Sequence, residues 1–159
     1  MKKLTNNDLL LCRIQAELFA NCGLFCNYSS LVFVRRFMYS NLAKRFDDTT
    51  ILLEVSTFKS MIEEIDEEYR KTTFGQYKNE GKEKMYWLGY VYRYWAIAYE
   101  LPSNVLYQEV NPKLILDRYY LYHSMDIDYV IERITEEEKI FIRPNKTLLE
   151  IIEEYCKEF

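Results

Sequence analysis

Apolar residues recur at helical spacing along most of this chain, and they predict a helical protein. The 159 residues include only four glycines and three prolines. Because glycine and proline interrupt helices, their scarcity favours long helices joined by short connections. The pattern predicts an all-α fold of about six to eight helices, which begin near residues 6, 30, 58, 80, 103, 112, 127 and 146.

Two segments depart from this helical pattern. Thr49 to Val55 is rich in β-branched residues and suits either a short strand or an extended connector. Residues 72–83 hold two of the four glycines and are predicted to form a mobile loop. Beyond them the pattern continues to the end of the chain, where the last helix is expected to turn one apolar face inward. The residues of that face are Leu148, Leu149, Ile152 and Tyr155 or Cys156.

The segment from Glu80 to Glu100 is apolar on nearly every side. Both tryptophans and ten of the fifteen tyrosines lie between Met85 and Arg133. A helix without a polar face is usually surrounded by neighbours. We therefore expect this helix to be central, with Trp95 in the core. Its two apolar rows are Tyr86, Tyr90, Tyr94 and Ile97, and Trp87, Val91, Trp95 and Ala98.

Length and charge indicate one domain, spanning residues 1–159. With 49% hydrophobic residues the chain can enclose a single core. A net charge of -4 gives no average attraction to nucleic acid or to an anionic membrane. The N-terminus begins like a signal peptide, but Asp8, Arg13 and Glu17 interrupt its apolar run, and no stretch approaches the roughly 18 apolar residues of a membrane span. We expect a cytoplasmic protein without membrane contact.

The four cysteines are Cys12, Cys22, Cys26 and Cys156, and their apolar surroundings are typical of buried free thiols. Cys22 and Cys26 form a C-x3-C pair, but a closed zinc site needs two further ligands from distant parts of the chain. The chain also has no glycine-rich phosphate loop and no nucleotide-binding fingerprint. These features predict no metal and no cofactor, and they disfavour the enzyme classes that such motifs mark.

Arg118 and His123 form an R-x4-H spacing on a predicted helix. This spacing resembles the motif of the HEPN family, small all-helical ribonucleases whose site is usually completed at a dimer interface. The resemblance implies that His123 transfers a proton and that Arg118 holds the phosphate, without a metal. Tyr119 departs from the family pattern, which tends to have Asn or Asp after the arginine. The alternative is that Arg118 reaches solvent and His123 is a structural residue near the helix end.

A basic helix follows Ser30, and its cations are Arg35, Arg36, Lys44 and Arg45. This pattern raises DNA binding as a second alternative. A helix-turn-helix unit would place Gly23 in the turn and a small residue four positions earlier, where the chain has the large Phe19. A solvated basic face opposite the acidic helix that follows is the simpler interpretation.

The blocks Tyr86 to Trp95 and Leu121 to Ile134 resemble a group of small bacterial helical proteins encoded beside toxin-antitoxin-type genes, including a candidate toxin similar to ADP-ribosyltransferases. The resemblance implies an antitoxin-like accessory protein that binds a cognate toxin-like partner and has no catalytic site. A homodimer is the other partner that an aromatic surface would suit. Tyrosine and arginine are enriched where proteins bind proteins. The candidate partner-binding residues are Tyr92, Arg93, Tyr99, Tyr107, Tyr119, Tyr120 and Tyr122.

Overall fold

The computed structural model describes residues 1–72, 78–142 and 148–157. These residues form ten α-helices and one short 3₁₀ helix, and they contain no strand. The all-α prediction is therefore confirmed. The α-helices are α1 (Asn6–Phe25), α2 (Ser30–Met38), α3 (Asn41–Asp47), α4 (Phe58–Glu68), α5 (Lys82–Ala98), α6 (Ser103–Glu109), α7 (Pro112–Leu116), α8 (Tyr119–Tyr122), α9 (Ile127–Glu137) and α10 (Leu148–Lys157).

Helix starts follow the capping residues that the sequence indicates. The Thr5 hydroxyl accepts a hydrogen bond from the Asp8 backbone N–H (3.2 Å), and the Asp8 carboxylate accepts one from the Thr5 N–H (2.9 Å). Thr57 caps α4 with the same reciprocal arrangement. At α7, the Asn111 side chain is the cap and Pro112 is the first helical residue. Each of these side chains satisfies backbone N–H groups that the helix itself leaves without partners.

Two of the predicted helices are each divided in two, which accounts for the larger number of helices. The predicted helix 30–45 is interrupted because Ser40 starts a new helix. Its hydroxyl accepts a hydrogen bond from the Ala43 N–H (3.1 Å) and donates one to the Phe37 carbonyl (2.6 Å). The predicted helix 112–125 is also divided, into α7 and α8, although no side chain caps the start of α8. Such breaks leave the apolar spacing almost unchanged, so periodicity alone does not show them.

Residues 49–55 form neither a strand nor a simple extended connector. Thr50–Leu53 form the 3₁₀ helix, and Thr49 before it has a left-handed backbone (φ 68°). The Asp48 carboxylate accepts hydrogen bonds from the backbone N–H (3.0 Å) and the hydroxyl (2.6 Å) of Thr50. Local bonds of this kind turn the backbone and override the β-branched composition.

Helix α5 is the centre of the molecule, as predicted. It packs along α1 and also contacts α6, α7 and α9. Gly89 allows the close approach to α1, because a Cβ at this position would lie 2.9 Å from the Gln15 carbonyl oxygen and 2.9 Å from Phe19 Cγ. Trp95 has no exposed surface. The core therefore forms where the two longest helices, α1 and α5, pack against each other.

The exposed face of α10 corrects the prediction for the last helix. Leu149, Ile152 and Tyr155 are 73%, 49% and 66% exposed, and Cys156 is exposed as well. The predicted inward position of these four residues is therefore wrong. The side chain of Leu148 lies outside the described part of the chain. Amphipathic spacing shows that a helix has an apolar face, but it does not show whether a neighbour covers that face.

The predicted mobile loop 72–83 is covered only in part, since residues 73–77 lie outside the described residues. Residues 78–81 are not helical, and α5 begins at Lys82. This connection is attached to the start of α2. The Ser30 N–H donates to the Lys78 carbonyl (2.9 Å), and the Ser30 hydroxyl accepts from the Glu80 N–H (3.2 Å).

Helix α1 is amphipathic rather than apolar throughout. Leu11 and Phe19 are buried against the core, whereas Arg13 and Glu17 are exposed. Across the described ranges, no helix is both long enough and apolar enough to cross a membrane.

Candidate partner-binding surface

Three of the seven predicted partner-binding residues lie inside the molecule. Tyr92, Arg93 and Tyr122 are 0%, 1% and 8% exposed. The Tyr92 hydroxyl donates to the Val110 carbonyl (2.6 Å), and burial raises the pKa of this phenol well above its ordinary value. The prediction that these three residues form a partner surface is therefore wrong. A buried tyrosine or arginine fits the core when each polar atom has a partner, and sequence composition does not separate this case from an exposed one.

Arg93 joins four helices through its guanidinium group. Its Nε donates to Gln15 (2.7 Å), one Nη to Asp47 (2.6 Å) and the other to the Ser103 hydroxyl (2.6 Å). The Asp47 carboxylate also accepts from the Ser103 backbone N–H (3.0 Å). A buried charge is stable only when it is paired and hydrogen-bonded. This network therefore fixes α1, α3 and α6 against α5, and it is structural.

Tyr122 is held by the acidic end of α9. Its hydroxyl donates to the Glu137 carboxylate, which also accepts from Arg118 Nε (2.9 Å). The Tyr122 hydroxyl and the Arg118 guanidinium, in that order of importance, hold the pKa of the Glu137 carboxyl below its ordinary value. Arg118 also pairs with Glu138. These contacts attach α9 to α8.

Three predicted residues are partly exposed, and each packs on another aromatic side chain. Tyr99 lies against Trp95, and Tyr119 makes an edge contact with Trp87 at 5.6 Å between ring centroids. Tyr107 makes a similar edge contact with Tyr39, also at 5.6 Å. Only part of each of these rings is open to a partner.

Tyr120 is the one predicted residue that is largely exposed, and three apolar neighbours accompany it. We name the set Tyr120, Leu121, Met125 and Tyr129 the corner surface, because it covers the turn between α8 and α9. These side chains are 77%, 66%, 41% and 45% exposed. Eight of the fifteen large apolar side chains that are exposed in the described residues lie between positions 120 and 155. An exposed apolar group of this kind is typical of an interaction site.

The corner surface stands on ordered contacts. Tyr119 stacks on His123 (4.6 Å between centroids) and touches Tyr120 edge-on (5.3 Å). The Lys84 ammonium lies 5.0 Å from the centre of the Tyr120 ring. Because Tyr119 rests on the core through Trp87, the exposed Tyr120 ring is held in place before a partner arrives.

Sequence reasoning missed Leu121, Met125 and Tyr129. Apolar residues at helical spacing are normally read as core. In the structure α8 ends at Tyr122 and α9 begins at Ile127, and these side chains around the turn stay exposed. Asp126 stands at the start of α9 and marks the break, although its side chain makes no capping hydrogen bond.

The corner surface borders the acidic part of the chain. From position 126 to the end there are ten Asp and Glu residues and five Lys and Arg residues, whereas residues 1–125 are nearly balanced, with fifteen and sixteen. The net negative charge of the protein therefore belongs to its C-terminal fifth. The exposed acidic residues of α9 and its start are Asp126, Asp128, Glu132, Glu136 and Glu137.

The alternative ribonuclease residues are already engaged. Arg118 donates to Glu137 and Glu138 and to the Leu114 carbonyl (2.7 Å). His123 Nδ1 lies 2.8 Å from the Tyr119 carbonyl, and the imidazole is exposed. Arg118 would have to leave two carboxylates before it could bind a phosphate. RNA cleavage by this pair stays a prediction, and the ion pairs favour a structural role for Arg118.

The four cations of residues 35–45 do not form one exposed basic face. Arg36 is buried, and Arg45 is paired with Glu54 (2.8 Å) and Glu64 (2.6 Å). Only Arg35 and Lys44 are exposed. Gly23 lies within α1 rather than in a turn, so α1 and α2 do not form a helix-turn-helix unit.

Cys12, Cys22 and Cys26 are buried free thiols, and burial favours their protonated form. Burial raises the pKa of the Cys12 and Cys22 thiols to about 12 and that of Cys26 to about 11. Within the described residues, no group of three His, Cys, Asp or Glu side chains is arranged to hold a metal ion. The expected burial is confirmed for these three thiols and is wrong for Cys156.

Comparison of the chain with protein-family models, with curated proteins and with solved structures finds no significant match. The corner surface is therefore assigned from the residues of this chain alone.

Proposed function

We propose that the chain is a protein-binding module, antitoxin-like in its role, which engages a cognate toxin-like protein through the corner surface. One observation carries the proposal: Tyr120, Leu121, Met125 and Tyr129 are exposed on α8, on α9 and on the turn between them, next to the buried Tyr122 and Val130. Isolated exposed apolar residues are ordinary, whereas four within ten positions of the chain concentrate exposed apolar surface in one short segment. Contact with a protein would remove this surface from water.

The residue types of the corner surface also favour a protein partner. Tyrosine and methionine are enriched in the centres of protein interfaces, and rigid aromatic anchors commonly contribute about 2 kcal/mol or more each. The exposed carboxylates around the surface suit a partner whose rim is basic. They oppose a symmetric homodimer, because a two-fold interface would bring the same acidic groups of two copies together.

The proposal is tested by co-expressing the chain with the protein encoded by the adjacent gene. We expect the two proteins to co-purify and the chain to suppress any toxicity of its neighbour. The double variant Tyr120→Ser, Leu121→Ser should lose the complex while keeping its thermal stability, since both side chains are exposed. The matched control is Leu53→Ser, Val55→Ser, which removes two apolar side chains that are 88% exposed and fully exposed elsewhere on the molecule.

Each outcome of the co-expression experiment either supports the proposed binding role or overturns it. Loss of the complex in the corner variant alone would support the proposal. If the chain dimerises and the corner variant is monomeric, the surface binds a second copy and the antitoxin-like role is overturned. If the wild-type chain binds no neighbour and stays monomeric at high concentration, the binding role itself is overturned.

A further inference from the structure

A cavity of about 540 Å³ opens beside α2, far from the corner surface in sequence. Its volume is within the range of roughly 300 to 1,000 Å³ that small-molecule sites occupy. Two consecutive arginines and two tyrosines contribute to its wall. The lining residues are Val32, Arg35, Arg36, Tyr39, Tyr69 and Thr72.

Arg36 is a buried cation without a carboxylate partner among the described residues. It is 5% exposed, and its guanidinium carbon lies 4.5 Å from the Tyr28 ring centre and 5.2 Å from that of Tyr69. It donates to the carbonyl (2.7 Å) and the hydroxyl (3.0 Å) of Thr72. Asp66 is engaged by the Tyr28 hydroxyl (2.6 Å) instead. Buried charges are normally paired with an opposite charge, so Arg36 favours an anion in the cavity.

Arg35 adds a second positive charge to the same wall. It is exposed, and it makes no hydrogen bond or ion pair with any described residue. The carboxylate of Glu68, the residue before Tyr69, accepts a hydrogen bond from the Asn41 backbone N–H (3.1 Å). Two adjacent guanidinium groups without carboxylate partners suit a phosphate, whose oxygens accept several N–H donors at once.

The tyrosines supply flat apolar walls. Tyr39 is held by its edge contact with Tyr107 (5.6 Å between centroids), and Tyr69 is held by Arg36. Aromatic side chains stack on nucleobases, and each such contact is worth about 1 to 3 kcal/mol in proteins that bind single-stranded nucleic acids. The cavity therefore combines a place for a planar ring with a place for an anion.

We propose that this cavity binds a small molecule that joins a planar ring to a phosphate, in the chemical class of the nucleoside monophosphates. Arg35 and Arg36 hold the phosphate, and Tyr39 and Tyr69 hold the ring. No covalent step is involved. This binding is independent of the corner surface, because no residue is shared between the two.

The test is titration of the full chain with AMP, adenosine and inorganic phosphate, followed by calorimetry. We expect AMP to bind at least tenfold more tightly than either of its parts, since only AMP occupies both halves of the cavity. Arg35→Gln should weaken AMP binding by about tenfold or more, and Tyr39→Leu should weaken it as well. The matched control is Lys44→Gln, which removes one exposed positive charge on α3 outside the cavity.

Several results would overturn the proposal. One is the absence of saturable AMP binding at millimolar concentration. If adenosine binds as tightly as AMP, the arginines do not contribute to phosphate binding. If inorganic phosphate binds as tightly as AMP, the tyrosines do not contribute to binding of the ring. Equal weakening by Arg35→Gln and Lys44→Gln would show attraction to the general positive field rather than to a site. Arg35 is the decisive position because, unlike Arg36, its side chain is exposed and its replacement leaves the core intact.

Discussion

Trp95 is the largest side chain that the core encloses completely. We predict that Trp95→Ala lowers the free energy of unfolding by about 3 to 5 kcal/mol, because it removes a large buried ring and leaves a cavity. Chemical denaturation of both proteins measures this difference. A loss below about 1 kcal/mol, the size expected of a surface change, would contradict the central position of α5.

Gly89 gives a second test of the contact between α1 and α5. Alanine in a helix is favoured over glycine by about 1 kcal/mol, but the added Cβ would lie 2.9 Å from the Gln15 carbonyl oxygen and 3.0 Å from Ala16 Cα. These are backbone atoms that do not move aside easily, and overpacking costs about 1 to 3 kcal/mol. We expect Gly89→Ala to be less stable than wild type in thermal unfolding. An increase in stability would show that the helices are less closely packed.

At the scale of single residues, the sequence identified the aromatic and charged side chains that matter, but it did not show which of the polar ones are buried. Trp95 could be assigned to the core because every side of its helix is apolar. Tyr92 and Arg93 occupy the same helix, but their polar atoms suggested the surface. What buries Arg93 is a set of partners 78, 46 and 10 positions away in the chain, and no local pattern indicates them. The sequence predicted Arg35 and Arg36 as cations of a basic helix. The burial of Arg36 between the rings of Tyr28 and Tyr69 depends on the fold.

The attachment of α9 depends on pH through Glu137. Because the folded protein lowers the pKa of this carboxyl below its ordinary 4.5, its stabilising contribution is complete above 4.5 and is lost as the pH falls through the lowered value. We predict that Glu137→Gln is less stable than wild type at neutral pH and that the difference shrinks in acid. Urea denaturation at several pH values measures it.

The control for this prediction is Glu136→Gln. Glu136 is the preceding residue on α9, is exposed and forms no ion pair or side-chain hydrogen bond within the described residues. Its replacement should leave stability nearly unchanged at neutral pH. A difference between wild type and Glu137→Gln that stays constant from neutral to acidic pH would contradict the proposed ion pair.

At the scale of elements, most helix starts were predictable, whereas the break at Ser40 and the break between α7 and α8 were not. Thr5, Thr57 and Asn111 act on backbone groups within three residues of themselves, so the sequence contains the whole interaction. At Ser40, between α2 and α3, one helix ends and another begins, but the spacing of apolar residues in the sequence hardly changes. The break between α8 and α9 was predicted near residue 127, but the exposure of the apolar side chains around it was not.

At the scale of the whole molecule, the aromatic core and the net negative charge come from different parts of the chain. The aromatic core is built mainly by α1, α2 and α5, and the negative charge is concentrated after position 126. An acidic region beside exposed apolar side chains favours fast association with a basic partner, and this rate falls as salt screens the charges. The composition of the chain showed the aromatic excess, but the fold was needed to show which rings remain outside.

The most direct test of the binding role is the dissociation constant of the complex with the adjacent gene product. It is measured for three proteins: wild type, the corner double variant (Tyr120→Ser with Leu121→Ser) and the control double variant (Leu53→Ser with Val55→Ser). Loss of about 2 kcal/mol at one central anchor corresponds to roughly 30-fold weaker binding. We predict at least this weakening for the corner variant and a change of less than about threefold for the control. Unchanged affinity in the corner variant, or equal weakening in the control, would contradict the assignment of the corner surface.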